Sequence, residues 1–376
     1  MSELFHFPLA PSAAARWVAC AGSVSLCALY PGEDSPASLE GTAAHWVASE
    51  SIGGIGVPLG IVAPNGVEVT EEMLDAADMY ATDVLAVAGI GGELHVEKTM
   101  AIHTIHSDCG GTPDAWHHDS GVIILWDFKY GHGFVDVYEN WQLITYAAGI
   151  LDQLGVKNGS GVDDQFFTFR FRVVQPRNYH RDGPIREWVI KASELRPYFN
   201  ILRMAAEKSW LRVEAKCVPN SECKHCLARH VCEAVQQSGF SAMEYSGSAT
   251  PLVLSDVALG IELSLLNHHL ARLEARKTGL EEMAAAEIKA GKVVPGFAME
   301  STSGRVGWIK PIEEVIALGE MMGVNVSKPG ALTPTQAIKA GLPEALVGSY
   351  SERKAGGLKL VPSNGAGARR AFARPA

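Results

Sequence analysis

The sequence predicts an α/β protein, with a central mixed sheet of about five strands flanked by helices and a smaller, mainly helical appendage behind it. Three observations predict it. Val122-Ile123-Ile124-Leu125-Trp126 is a β-branched, apolar run of the buried-strand type, preceded by the turn pair Ser120-Gly121. Residues Gln165 to Gln175 alternate as a strand does. Helical periodicity runs through residues 70–88 and, over a longer stretch, through 255–290.

Composition sets the bounds. A chain of 376 residues can bury a sizeable core and suits one main domain plus an appendage. At 47% hydrophobic and 20% charged residues it fits a soluble globular class. No apolar run reaches membrane-spanning length, and the N-terminus lacks the basic start of a signal peptide, so no membrane association and a cytoplasmic location are expected. The net charge of −10 excludes a protein that coats nucleic acid through bulk charge. It leaves room for a local basic groove, because a bound cation neutralises part of an acidic site. Seven cysteines, an odd number, suggest metal or cluster ligation before disulfides.

From the N-terminus, residues 9–30 predict a short helix and a second apolar turn carrying Cys20 and Cys27, two small residues of the buried type. Gly41-Thr42 is a candidate helix start with Thr42 as cap, which places His45 one turn in. Thr70 caps the next helix, with Glu71 and Glu72 in its first turn. Glu93 to Thr99 alternates as a strand. On it Glu97 is either a further metal-shell carboxylate or an exposed residue paired with Lys98. His103, His106, His117 and His118 lack ligand spacing and fall on loops and strands, where they could face DNA.

The densest chemistry lies between residues 109 and 146. Ala115-Trp116-His117 is a partner strand for the Val122 run, and a hairpin brings Asp114 close to Asp127. Two neighbouring carboxylates repel unless a cation sits between them, and hard oxygen ligands favour Mg²⁺ or Mn²⁺. Lys129 is two residues from Asp127 and points the same way, placed to hold or deprotonate a metal-bound water. Gln142 and Tyr146, four apart, share a helix face that could pack across the site. Downstream, Arg170 and Arg172 on one strand face, extended by Arg177 and Arg181, could contact phosphate or form a solvated outer face. A short strand at 186–190 and a Ser-capped helix at 193–214 follow.

Residues 217–232 carry Cys217-x5-Cys223-x2-Cys226-x5-Cys232. Soft thiolates at this density select Zn²⁺ or an iron–sulfur cluster over Mg²⁺. Residues 236–252 are a polar Gly/Ser linker by composition. Residues 253–350 form the helical appendage, whose leucines at helical spacing suit a helix pair or a protein interface. A small hairpin at 294–310, two short helices over 311–345 and a loose basic tail at 351–376 complete the expected organisation.

The ordered set Gly-x-x-Asp114, apolar strand, Asp127-x-Lys129, then Gln142-x-x-x-Tyr146 resembles the PD-(D/E)XK nucleases of the RecB-like branch, and most of all a phage- and prophage-encoded family within it. The resemblance covers about residues 9–235 and implies a restriction-endonuclease-like core. It implies that His45, in Gly-Thr-x-x-His, joins Asp114 and Asp127 around one or two Mg²⁺ or Mn²⁺ ions, with the Phe128 carbonyl as a further ligand. Lys129 would act on the attacking water, and Gln142 and Tyr146 would orient Lys129 or touch the scissile phosphate. It also implies a [4Fe–4S] cluster on Cys20, Cys223, Cys226 and Cys232, against which stands one Zn²⁺ on the four clustered cysteines, with Cys217 as the alternative ligand. The implied function is metal-dependent DNA hydrolysis, most of all as an exonuclease, alongside a strand-annealing or single-strand-binding protein; the sequence itself leaves a homo-oligomer open. The alternative is a DNA-end-binding or scaffold protein with weak or partner-dependent cleavage.

Overall fold

A computed structural model of the chain describes residues 7–30, 34–88, 91–156, 162–178, 180–211, 214–246, 254–292 and 294–297. Contacts divide the chain into one unit of Met1–Lys292 with Ala366–Ala376 and a second of Val293–Gly365; every element named below belongs to the first. Most of the hairpin expected at 294–310, the helices of 311–345 and the tail of 351–376 lie outside the described residues.

The architecture is the α/β one expected: a mixed five-stranded sheet with helices on both faces. Its strands are β1 (Glu93–Val96), β4 (Ala115–Asp119), β5 (Val122–Phe128), β6 (Thr168–Val174) and β7 (Ile185–Lys191), in the spatial order β1-β4-β5-β6-β7. Only β5 and β6 run parallel. Two shorter strands, β2 (Met100–Ala101) and β3 (Gly110–Gly111), pair separately.

The β4–β5 hairpin closes through Ser120 (φ 48°) and Gly121 (φ 84°), with Asp119 opposite Val122. A two-residue loop with both φ values positive matches the twist of its strands and locks the register. That register puts Ala115 opposite Trp126, so Asp114 and Asp127 stand one step further on, across from each other.

Along β5 the side chains alternate between two cores. Ile123 and Leu125 join a core built with α1 (Ala14–Ala19), α5 (Trp141–Gln153) and α7 (Ala192–Trp210). Ile124, Trp126 and Phe128 join one built with α3 (Pro36–Ile52) and α4 (Glu71–Ala88). The parallel β5–β6 connection crosses over through α5 and the short α6 (Val162–Phe166). Both strands therefore end at one edge of the sheet, and the ends of such strands leave a crevice for a site.

Several boundaries differ from the sequence reading. Helix α3 starts at Pro36, six residues before Thr42, because Ser35 accepts from the Ser38 N–H (3.1 Å) and Pro36 presets the first turn. Thr42 lies inside the helix and its hydroxyl donates to the Ser38 carbonyl. Strand β1 stops at Val96 because Glu97 turns to φ 47°. Residues 162–166 are helical, so the strand expected from Gln165 begins at Thr168. Helix α7 starts at Ala192, where the Lys191 N–H donates to Glu194 (3.1 Å), and ends at Trp210.

The linker expected over 236–252 is replaced up to Ser246 by α8 (Glu233–Ser246). It packs on the 34-residue α9 (Asp256–Lys289), whose far half packs on the cysteine segment. The first compact unit thus includes α8 and α9 and runs to Lys292. The physical reason is tertiary: Val235 and Ala242, seven apart, are buried, and Gly239 lets Leu273 approach.

Candidate metal centre

At the sheet edge, Asp114 Oδ2 accepts the Phe128 N–H (2.6 Å), tying the end of β4 to the end of β5. Asp114 Oδ1 faces His45 Nδ1 at 3.1 Å, presented by α3 from the other layer. His45 is held edge-on against Phe128, with ring centroids 5.2 Å apart. Glu97 completes the group: one ligand atom each from His45, Glu97 and Asp114 lie within 4.8 Å of one another. The positive φ of Glu97 is unusual for a residue with a side chain, and its N–H donates to the Asp114 carbonyl (3.0 Å). The four-residue strand β1 thus ends in a strained turn that aims a carboxylate at the cleft.

Asp127 stands beside this group and is 3% exposed. Its Oδ1 receives Lys129 Nζ at 2.9 Å and Gln142 Nε2 at 2.9 Å, while Gln142 Oε1 accepts from Lys129 Nζ at 3.1 Å. Gln142 is placed by the start of α5, where Asn140 caps the N–H groups of Gln142 and Leu143. Asp127 Oδ2 is buried and has no hydrogen-bond partner among the described residues. A buried carboxylate oxygen with no donor costs free energy unless a cation supplies the charge. That orphan, the His45–Glu97–Asp114 group and the all-oxygen-plus-imidazole chemistry fit a divalent cation of the Mg²⁺ or Mn²⁺ type. His45, Glu97, Asp114 and Asp127 would hold it.

The electrostatics fit an acidic site that attracts positive charge. Glu97 is exposed at the cleft, yet partial desolvation of its carboxyl and then the Asp114 charge push it up to about 7. Burial and the Asp114 charge also raise Asp127, against the pull of Lys129. For Asp114 burial is outweighed by His45, Lys129 and the Phe128 N–H, and its pKa falls. Burial opposes charge on His45 and Lys129, yet the carboxylates beside them raise both. A cation held here would favour the ionised Glu97 and the neutral His45, and so would release protons.

The sequence-predicted residues come together with two differences. Tyr146 does not reach Lys129: its hydroxyl donates to the Thr112 carbonyl (2.8 Å), fastening α5 to the segment that leads into Asp114. Of the four arginines, Arg181 is exposed and the other three are engaged elsewhere. Arg172 binds Asp83 (2.7 Å) and Glu187 (2.8 Å), Arg170 binds Glu187 (2.9 Å), and Arg177 pairs with Glu40 and Glu72 (both 3.2 Å). The Phe128 ring is wholly buried against His45 and Tyr80, and the Phe128 N–H is held by Asp114. The cleft above the site, about 430 Å³, is bounded by Gly41 and Thr42 of α3 and by Tyr130 and Gly131 beyond β5.

The cysteines gather on the far side of α1. Cys20, Cys217, Cys223, Cys226 and Cys232 line one small cavity, joining the N-terminal region to the segment after α7. The Val218 N–H donates to Cys20 Sγ (3.3 Å) and the Asn220 N–H to Cys223 Sγ (3.4 Å), a pattern that stabilises thiolates. Cys217 lies against Cys20 and Cys232, and burial with these neighbours pushes its thiol up to about 12. The residues therefore fit a thiolate-bound metal group, with both Cys20 and Cys217 inside the cavity. Cys27 is buried as expected, and it also has a thiol neighbour that was not expected: its Sγ is 3.5 Å from Cys226 Sγ. Its position seven residues after Cys20 was the available signal. Cys109 is buried apart from this group, and burial pushes its thiol up to about 12.

Fold and site together define an α/β protein with a carboxylate–imidazole cation site at the end of its sheet and a separate thiol cavity. The chain matches, over residues 6–307, the model of a family described as a protein of unknown function, DUF2800, and it belongs to that family. Among the described residues no helix is long and apolar enough to cross a membrane.

Proposed function

We propose that this protein is a metal-dependent DNA nuclease of the PD-(D/E)XK type, RecB-like branch, working as an exonuclease in phage recombination or replication. The observation that carries the reading is the buried Asp127 Oδ2, without a partner among the described residues, beside the His45–Glu97–Asp114 group, with Lys129 fixed on the same face by Gln142. A bound Mg²⁺ or Mn²⁺ supplies Lewis-acid polarisation of the phosphoryl oxygen and lowers the pKa of water. His45, Glu97, Asp114 and Asp127 hold that charge in place. Lys129, its Nζ shared between Asp127 and Gln142, orients the attacking water and balances charge that develops on the phosphorus oxygens. Tyr146 keeps the Asp114 segment against α5. The cysteine cavity is structural in this reading: a [4Fe–4S] cluster, or alternatively Zn²⁺, staples the N-terminal region to the segment after α7.

The test is cleavage of end-labelled linear and circular DNA, single- and double-stranded, with Mg²⁺ or Mn²⁺, by protein purified without oxygen. Degradation of linear DNA that is lost in Asp127→Ala and Lys129→Ala supports an exonuclease at this site. Nicked circles would move the reading to an endonuclease. Folded, metal-replete protein that cleaves nothing would overturn it in favour of DNA-end binding within a larger complex.

A further inference from the structure

The clustered cysteines do not share one environment. Cys217, Cys223 and Cys232 pack together in one apolar cluster with Val235 and Ala275. Cys226 belongs to another, with Cys27 and the fully buried Ala228. Its Sγ is 3.5 Å from Cys27 Sγ, yet Cys226 also borders the small cavity shared by Cys20, Cys217, Cys223 and Cys232. Cys226 therefore stands between the candidate metal cavity and Cys27. Cys27 ends helix α2 (Ser23–Cys27) and lines a second, larger cavity with Arg16, Trp17, Ser25 and Trp210. At about 520 Å³ that cavity has the size of a small-molecule site. The backbone beside both thiols is tied down. Arg16 donates to the His225 carbonyl (3.2 Å), Arg229 to the Cys226 carbonyl (3.4 Å) and the Cys226 N–H to the Cys223 carbonyl (3.2 Å). The Tyr30 N–H donates to the Cys27 carbonyl (3.0 Å). Bringing the sulfurs from 3.5 Å to a bond of about 2.05 Å takes a shift of about 1.5 Å, within the reach of side-chain torsions.

We propose that Cys27 and Cys226 are a redox pair: exchange with a small-molecule disulfide joins them, and the bond withdraws the Cys226 sulfur from the metal cavity. This rests on the reading of that cavity as a thiolate-bound metal site with Cys226 among its ligands. The oxidant enters through the larger cavity, where the Arg16 charge suits a disulfide that carries carboxylates, such as oxidised glutathione. The Cys27 sulfur loses its proton and attacks one sulfur of the oxidant; a mixed disulfide forms on Cys27 and one small thiol leaves. The Cys226 sulfur then loses its proton, attacks Cys27 Sγ and expels the second small thiol. Two protein thiols have given up two electrons and two protons, and the small disulfide has become two thiols. A sulfur in a disulfide has no thiolate to offer a metal, and a metal-bound thiolate is not free to attack. Oxidation and metal loading therefore exclude each other at Cys226. Bound metal protects the pair, and the disulfide blocks loading until it is reduced.

The test treats metal-free, reduced, full-length protein with oxidised glutathione, maps its cysteines by peptide mass spectrometry, and measures metal by elemental analysis after incubation with zinc or with iron and sulfide. A peptide crosslinked through Cys27 and Cys226 is expected. Metal uptake should fall at least about tenfold below that of the reduced protein, the scale on which damage to a ligand shell lowers affinity, and a dithiol reductant should restore it. Protein loaded before treatment should keep the two cysteines unlinked. Cys27→Ser, outside the metal cavity, should load as the reduced wild type does and ignore oxidised glutathione, with circular dichroism as the check on folding. The crosslink in the wild type decides the matter even where that variant does not fold. Unlinked Cys27 and Cys226 after treatment of the metal-free protein, or other cysteines linked in their place, overturns the proposal, as does a crosslinked protein that still loads fully. Reduced wild type that takes up neither iron nor zinc overturns the metal reading of the cavity and the gating with it, and it shows itself before any oxidant is added. No readout depends on DNA cleavage.

Discussion

Gln142 bridges Asp127 and Lys129: its Nε2 donates to Asp127 Oδ1 at 2.9 Å while its Oε1 accepts from Lys129 Nζ at 3.1 Å. One amide thus sets the position of both a candidate metal ligand and a candidate catalytic cation. The arrangement works because both groups of the amide are used with opposite polarity. Gln142→Ala should leave Lys129 anchored to Asp127 alone and lower cleavage by about 10–100-fold, the usual range for a residue that orients a metal ligand. Gln142→Glu, which keeps the acceptor for Lys129 but turns a carboxylate toward Asp127, should fall at least as far. Single-turnover rates at saturating metal measure this, and an unchanged rate in both variants would remove Gln142 from the site.

Tyr146 leads to a different expectation. Its hydroxyl donates to the Thr112 carbonyl, and burial followed by the nearby Asp114, Asp127 and Glu97 charges raises its pKa, so it remains a neutral donor. Tyr146→Phe leaves the part-buried Thr112 carbonyl without its donor and should cost about 1 kcal/mol in urea unfolding. Cleavage by the folded variant should stay within about threefold of wild type, a shift under about 1 kcal/mol in the barrier. A large drop in rate with no loss of stability would return Tyr146 to the scissile phosphate.

Much of this site was legible because its elements are local. The apolar run from Val122 and the turn at Ser120-Gly121 specify a hairpin, and a hairpin by itself brings Asp114 to Asp127. The four-residue spacing of Gln142 and Tyr146 is a property of any helix. Features that rest on distant partners were hidden. Arg172 could be read as a phosphate contact or as part of a solvated face because Asp83, 89 residues earlier, is not visible as its partner along the chain. Residues 236–246 have the composition of a linker and become helix α8 through the face they bury against α9. Cys27 gained meaning when the fold set it against Cys226, 199 residues away. Glu97 is an intermediate case: its strand could be seen, but not the left-handed turn that aims it inward.

Glu97 makes metal-free stability depend on pH. Its carboxyl titrates near 7 in the folded protein, above its value of 4.5 in the absence of the fold, so the native state holds a proton that the unfolded chain releases. Stability from this group is fully present below about pH 4.5 and is lost as pH rises through about 7. With chelator present, Glu97→Gln should melt with wild type at acid pH and above it at pH 8, the gap opening between those values. Adding Mn²⁺ should reverse the order at pH 8, because the cation stabilises the ionised carboxylate that the variant lacks. Thermal melts of both proteins with and without metal decide it, and parallel curves at all pH values would exclude Glu97 from the cation group.

Gly22 is where the thiol cavity is most sensitive to a single methyl. A Cβ there would lie 2.6 Å from Cys217 Sγ, 2.8 Å from Cys217 N and 2.9 Å from the Ala215 carbonyl. The sulfur could rotate away, but the two backbone atoms could not, so relief requires the segment that carries Cys217 to move off the N-terminal region. The Gly22 N–H also donates to the Lys216 carbonyl (3.1 Å), and separating the segments would break that bond. Gly22→Ala should therefore cost about 1–3 kcal/mol as an overpacked contact. It should also lower bound iron or zinc, since Cys20 and Cys217 are held on opposite sides of this contact. Gly260→Ala is the control: nothing lies within 4 Å of its Cβ, it sits inside α9, and it should stabilise by about 0.5–1 kcal/mol through helix propensity. Metal content by elemental analysis and unfolding midpoints, measured on both variants, separate the two effects. Full metal occupancy in Gly22→Ala would show that the cavity holds its group without Cys217 in this position.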